Sequence, residues 1–171
     1  MEIYECLTDI IEKDTNLIPD ESSSKSSISF ISKDLDFVPK EGVRSKSGRM
    51  LLFDTYNGAQ GVIIYLRIHP GPQEIRQRLY EIARENTDLF GLTKEGNLTA
   101  QSFSIYRNFI LRPRDYEDID AEELREILVS KLDDFKNTDL PKIVDKLSVF
   151  QSKKDEIQMV KAKSSPDRQI C

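Results

Sequence analysis

Apolar residues recur along this chain at two spacings, and the switches between them mark out its elements. Ile3, Leu7, Ile10 and Ile11 stand three and four apart in IYECLTDIIEK, which predicts an amphipathic helix ending near Lys13. Residues 14–27, DTNLIPDESSSKSS, hold a proline and a serine cluster without apolar period and read as a mobile loop. In SISFISKDLDFVPKEG, Ile28 and Phe30, then Leu35 and Phe37, alternate with polar neighbours as in short strands. RMLLFDTY and GVIIYLRI are β-branched and aromatic runs separated by NGAQ. An Asn-Gly step between such runs predicts an antiparallel hairpin, 49–56 with 61–68, because both residues tolerate positive φ.

From Pro72 the period lengthens again. Ile75, Leu79, Ile82 and Ala83 form one face of a helix over 72–86, with Glu74 and Arg78 four apart on the exposed side. AQSFSIYRNFILRP then alternates as a further strand or two, with Phe103, Ile105 and Phe109 expected on one face. In DIDAEELREILVSKLDDF, Asp120 is a helix cap with Glu123 placed for a capping box, and Leu124, Ile127, Leu128, Leu132 and Phe135 make the buried stripe. A second helix restarts at Thr138 or Asp139 and carries Ile143, Val144, Leu147 and Phe150. The expected fold is α+β: an antiparallel sheet of about four strands packed with an N-terminal, a central and C-terminal helices. Residues 1–150 form one domain, and the polar tail at 151–171 is a frayed helix or disordered.

Composition changes this picture little. With 171 residues, 38% of them hydrophobic, the chain can fill a single core. Cys6 and Cys171 form neither a ligand pattern nor a disulfide framework, and the acidic start MEIYECLTDIIEK lacks a signal peptide's basic head and apolar middle. A reducing, cytoplasmic setting without a membrane span is expected. Charge is more informative. The net of −5 divides into −6 over residues 1–42, +5 over 43–114 and −4 over 115–171. A basic middle between acidic flanks suits phosphate or an acidic partner, and equally suits pairing of the middle with its own flanks.

Candidate chemistry concentrates on IHPGP, which holds the only histidine, His69. A strand entering a helix N-terminus can hold an anion. Here Pro70 and Pro72 have no N–H, a single glycine replaces a glycine-rich set, and Glu74 already sits in the first turn. The stretch therefore reads as a corner in which Pro72 starts the helix and Gly71 permits the turn. One histidine excludes a histidine-rich metal site. Without a G-x-S-x-G elbow, a Ser-His-Asp hydrolase is not expected either.

The run LLFDTYNGAQGVIIYLRIHPGPQEIRQRLYEIA and the later FILRPRDYEDIDAEELREILVSKLDDFKNTDLPKI resemble the C-terminal region of a group of proteins in the PD-(D/E)XK, restriction-endonuclease-like nuclease superfamily, over about residues 28–147. The resemblance implies that catalysis lies in a nuclease core upstream of the matched part. That chemistry needs an Asp on one strand and an Asp/Glu-x-Lys triplet on the next, to hold a divalent cation and assist water attack. Asp54 can serve as the first carboxylate, but VIIYLRI offers no second one and no lysine. A non-catalytic binding or accessory module, needing no cofactor or metal, is expected in a restriction-like or defence setting. A nuclease drawing carboxylates from Asp36, Asp54 and Glu74 is the rival reading.

The basic residues expected to bind DNA, RNA or a protein partner such as a nuclease or methyltransferase are Arg44, Lys46 and Arg49 before the hairpin, Arg76 and Arg78 on the helix, and Arg107, Arg112 and Arg114 after it. Tyr56, Tyr65 and Tyr106 are interleaved with them.

Overall fold

The computed structural model describes residues 3–24, 26–43, 45–92 and 97–163, with side chains described to residue 151. Helix α1 (Ile3–Lys13) is followed by β1 (Leu17–Pro19), β2 (Ser27–Ser32), β3 (Leu51–Gly58) and β4 (Gly61–Ile68), then α2 (Gln73–Glu85) and the single turn α3 (Thr87–Phe90). Strand β5 (Phe103–Leu111) leads into α4 (Ala121–Asn137) and α5 (Asp139–Lys163). The five strands form one antiparallel sheet in chain order, with α2 and α3 inserted between β4 and β5. The α+β class is as expected, with one more strand. That strand, β1, lies inside the segment read as a loop, where Leu17 and Ile18 pair with Ser32 and Ile31. Leu35 does not continue a strand either: Lys33–Leu35 is a turn of 3-10 helix capped by Ser32.

Strand pairing sets which side chains share a face. Phe30, Phe53, Leu66 and Tyr106 lie opposite one another across β2 to β5. This row meets the helices: Phe53 packs face to face with Phe30 and edge-on against Phe135 of α4, both at 5.4 Å. Phe103, opposite Ile68, meets the Tyr80 ring of α2 at 5.4 Å on the same side. Leu128, Leu132 and Phe135 of the expected stripe are buried, and Asp120 caps α4 by accepting from the N–H groups of Glu122 and Glu123.

Two polar ties fasten the helical layer. Arg125 and Lys136 of α4 bond Asp9 and Asp14 at α1, the latter at 2.5 Å. The Tyr106 hydroxyl donates to Asp139 at the start of α5 at 2.5 Å, and the Asn108 amide approaches the same oxygen at 3.4 Å. Burial and that carboxylate together push the Tyr106 phenol far above its ordinary range, so it stays a donor at any physiological pH.

Strand β5 departs from simple alternation. Its register against β4 shifts between Tyr106 and Ser104 and again between Phe109 and Leu111, leaving Ile105 and Ile110 as extra residues in two bulges. Phe103 therefore faces the helices while Phe109 does not, which corrects the expectation that Phe103, Ile105 and Phe109 share a face.

The hairpin also turns elsewhere than expected. Pairing continues through Asn57–Val62 and Gly58–Gly61, so Ala59 and Gln60 make the corner. The glycine with positive φ is Gly61 at 106°, and a Cβ there would lie 2.1 Å from the Leu111 carbonyl oxygen. Nothing lies within 4 Å of a Cβ on Gly58.

Two stability changes follow. Gly61→Ala is expected to lose about 2 kcal/mol or more and Gly58→Ala about 0.5 kcal/mol or less, compared by urea unfolding; equal losses would reject the steric account. Tyr106→Phe leaves Asp139 without its principal donor and is expected to cost about 1–3 kcal/mol in the same assay.

Candidate nucleic-acid interface

The alternate residues of the same strands form a second set of rows. Ser29, Asp54, Tyr65 and Arg107 stand opposite one another across four strands, Leu52, Arg67 and Ser104 form the next row on one side, and Tyr56, Ile63 and Phe109 the row on the other. From these rows a ladder of cations and rings is built. The Arg67 guanidinium lies 4.7 Å from the centroids of both Tyr56 and Tyr65. Arg107 lies 5.9 Å from Tyr65 and 4.9 Å from Phe109, and Arg112 sits 4.3 Å over Phe109. Tyr56, Arg67, Tyr65, Arg107, Phe109 and Arg112 thus alternate ring and cation across β3, β4 and β5.

Packing over a ring holds an arginine without removing its charge, because attraction to the π face leaves most N–H donors open. Tyr56, Arg107 and Arg112 are exposed, and Tyr65, Arg67 and Phe109 half-buried. Arg67 also donates to the Tyr56 hydroxyl at 3.0 Å and to Ser104 at 3.2 Å, and lies 3.7 Å from Asp54. Among the described residues, the Arg107 guanidinium donates to the Gln60 amide oxygen alone, at 3.4 Å. Among the described residues no carboxylate side chain forms an ion pair with Arg107 or Arg112.

The basic middle of the sequence does not gather into one surface. Arg107 and Arg112 reach the ladder, joined by Arg67, which the charge reading left out. Arg49 is a structural cation: its Nε lies 2.8 Å from Asp36 and its Nη1 3.3 Å from Asp20, with the side chain mostly buried. Arg76 is also interior, at 2% exposure. Arg78 lies on α2 at 3.7 Å from Glu81, Arg114 projects into solvent 3.9 Å from Asp115, and Lys46 is exposed ahead of β3. Arg44 lies outside the described residues. Tyr106, expected among the interleaved aromatics, is on the helical side, bound to Asp139.

The acidic candidates are engaged too. Asp54 is buried, accepts from Ser29 at 2.6 Å and faces His69 Nε2 at 3.4 Å, while the other ring nitrogen of His69 is 3.0 Å from Ser102 Oγ. Serine, histidine and aspartate are therefore neighbours, with the Ser102 contact at hydrogen-bond distance and His69 Nε2 buried beside Asp54 without a well-aligned hydrogen bond. Asp36 is taken by Arg49, and Glu74 is exposed in the first turn of α2. Among the described residues no three His, Cys, Asp or Glu side chains group to hold a metal ion, and no helix is long and apolar enough to cross a membrane. The chain matches no protein-family model, no curated protein and no solved structure.

The pairing of Arg49 has a consequence in acid. Burial opposes ionisation of Asp20 and Asp36, but hydrogen bonds from Ser22, Ser47 and Arg49 to the first, and from Arg49 and Lys40 to the second, outweigh it and hold both carboxyls below their ordinary range. Groups with depressed values contribute stability that is complete above their unfolded value, about 3.9, and is lost as pH falls through the folded one. The melting temperature should hold steady above about pH 5 and fall below about pH 4. Arg49→Met should lower the plateau and lessen the acid loss, whereas an acid profile identical to that of the unaltered protein would reject Arg49 as the stabilising partner.

Proposed function

We propose that this protein is a non-catalytic module that binds single-stranded nucleic acid across the ladder on β3, β4 and β5. The observation that carries the reading is the alternation of rings and arginines along one face of β3, β4 and β5, with Arg107 and Arg112 held by Phe109 rather than by carboxylates among the described residues. Bases stack on aromatic faces whatever their sequence, and arginines spaced between the rings neutralise the phosphates that follow each base. A duplex hides its base faces, so stacking platforms favour single strands. The resemblance to the C-terminal region of PD-(D/E)XK proteins is compatible with this role. The module would position a strand in the cytoplasm for a nuclease or methyltransferase partner in a defence setting, leaving cleavage to that partner.

Fluorescence anisotropy with a labelled single-stranded oligonucleotide tests the reading. Affinity should fall as salt rises, with a logarithmic slope of about −0.7 for each phosphate neutralised. Arg107→Ala with Arg112→Ala should flatten that slope by one to two phosphates' worth, and Tyr65→Ala should weaken binding by about 5- to 100-fold through lost stacking. Lys142→Ala, away from the ladder, should leave affinity unchanged. No binding at low salt by the folded protein would end the nucleic-acid reading and leave a protein partner as the occupant of this face.

A further inference from the structure

A second site, independent of the ladder, lies at the corner between β4 and α2. Arg76 is 98% buried by its 2% exposure, yet no carboxylate among the described residues pairs with it. Its Nη2 donates to the carbonyl oxygens of Thr99 at 2.8 Å and Gln101 at 2.6 Å, and its Nε is buried with no hydrogen-bond partner. Burial pulls its pKa below the ordinary arginine value, and no negative charge restores it. A desolvated cation whose partners among the described residues are two neutral carbonyls is an expensive arrangement for a fold to keep.

Arg76 lines a cavity of about 380 Å³ together with Gly42, Pro70, Gly71, Gln73 and Ala100. None of the described lining residues is acidic. The cavity opens at the start of α2, where the first backbone N–H bonded within the helix is that of Arg76, to the Pro72 oxygen. Pro72 supplies no side-chain cap, so the N–H groups of Gln73, Glu74 and Ile75 lack helical partners at the positive end of a 13-residue helix, and of these three residues Gln73 lines the cavity. The corner is held in place from behind: a Cβ on Gly71 would meet the Met50 sulfur at 2.8 Å. The prolines do withhold two donors, as the sequence suggests. What the composition of the loop does not reveal is the arginine one turn further on, brought to the same cavity by α2.

We propose that this corner binds a phosphate group, with Arg76 as its charge partner and the free backbone N–H of Gln73, at the start of α2, as a further donor. A tetrahedral oxyanion can accept from a guanidinium edge and from an N–H at a helix N-terminus together, and it supplies a counter-charge that none of the described residues gives Arg76. The space exceeds a bare oxyanion, which suits a phosphate monoester such as a nucleotide or a phosphorylated strand end. The exposed Glu74 of the same turn carries the one nearby negative charge on α2 and is not among the lining residues.

The test uses the full chain in phosphate-free buffer at constant ionic strength. Inorganic phosphate should raise the melting temperature saturably where chloride does not, and should shift the amide resonances of Gly42, Gly71, Gln73 and Ala100. Arg76→Met should abolish both effects, while Arg76→Lys should retain weakened binding. The amide shifts need no variant, so the site stays testable if Arg76→Met fails to fold. A nucleoside monophosphate binding more tightly than inorganic phosphate would assign the ligand to monoesters, and equal affinities to free phosphate; either supports the site. An unchanged melting temperature with unmoved corner amides would overturn it, as would shifts confined to Tyr65, Arg107 and Phe109. Loss of oligonucleotide binding in the ladder variants with phosphate binding intact would separate the two sites.

Discussion

Strand β5 serves both faces of the sheet through one extra residue, Ile105, in its register against β4. Counted by simple alternation, Phe103, Arg107 and Phe109 would share one face, and the helices would have to accommodate a guanidinium or leave Phe103 in solvent. The bulge at Ile105 resets the count, so that Phe103 and Tyr106 meet α2, α4 and α5 while Arg107 and Phe109 join Tyr65 on the other side. Ile105 and Ile110, the inserted residues, are themselves buried, so their apolar side chains stabilise the irregularity that they create. A local break in the ladder is in this way compatible with two well-ordered faces.

Most of the framework was legible in the sequence, since helices and the central hairpin follow from period alone. Leu128, Leu132 and Phe135 recur at helical spacing and are buried together; VIIYLRI alternates Ile63, Tyr65 and Arg67 against Val62, Ile64 and Leu66 as the sheet requires. What escaped were features set by partners distant in sequence. β1 is three residues long and is fixed by pairing with β2 rather than by its own pattern. Asn57-Gly58 has hairpin chemistry, but the close approach of Leu111 to Gly61 governs where a side chain is tolerated. The bulges in β5 leave no periodic trace, because an inserted isoleucine looks like any other strand residue.

The candidate site was only partly legible, for a related reason. Counting arginines in a segment gives the charge and not its fate. Arg49 finds Asp36 and Asp20, 13 and 29 residues earlier, while Arg76 finds backbone oxygens more than 20 residues later. Arg67 is a single charge in an apolar strand, and its value appears only when register places Tyr65 and Tyr56 on either side of it.

The fates of these arginines also explain why the two proposed sites differ in kind. On the sheet, a guanidinium over a ring remains hydrated at its edge, so its charge costs the fold little and acts on a ligand weakly and from several positions at once. At the corner, Arg76 is stripped of water and given only part of the hydrogen bonding it can use, so its interaction with an anion is strong, local and limited to a group small enough to enter. A surface of the first kind suits a long flexible polyanion with interchangeable units. A cavity of the second suits one phosphate held by geometry, and salt should weaken the first site more than the second, because buried charges are screened less than exposed ones.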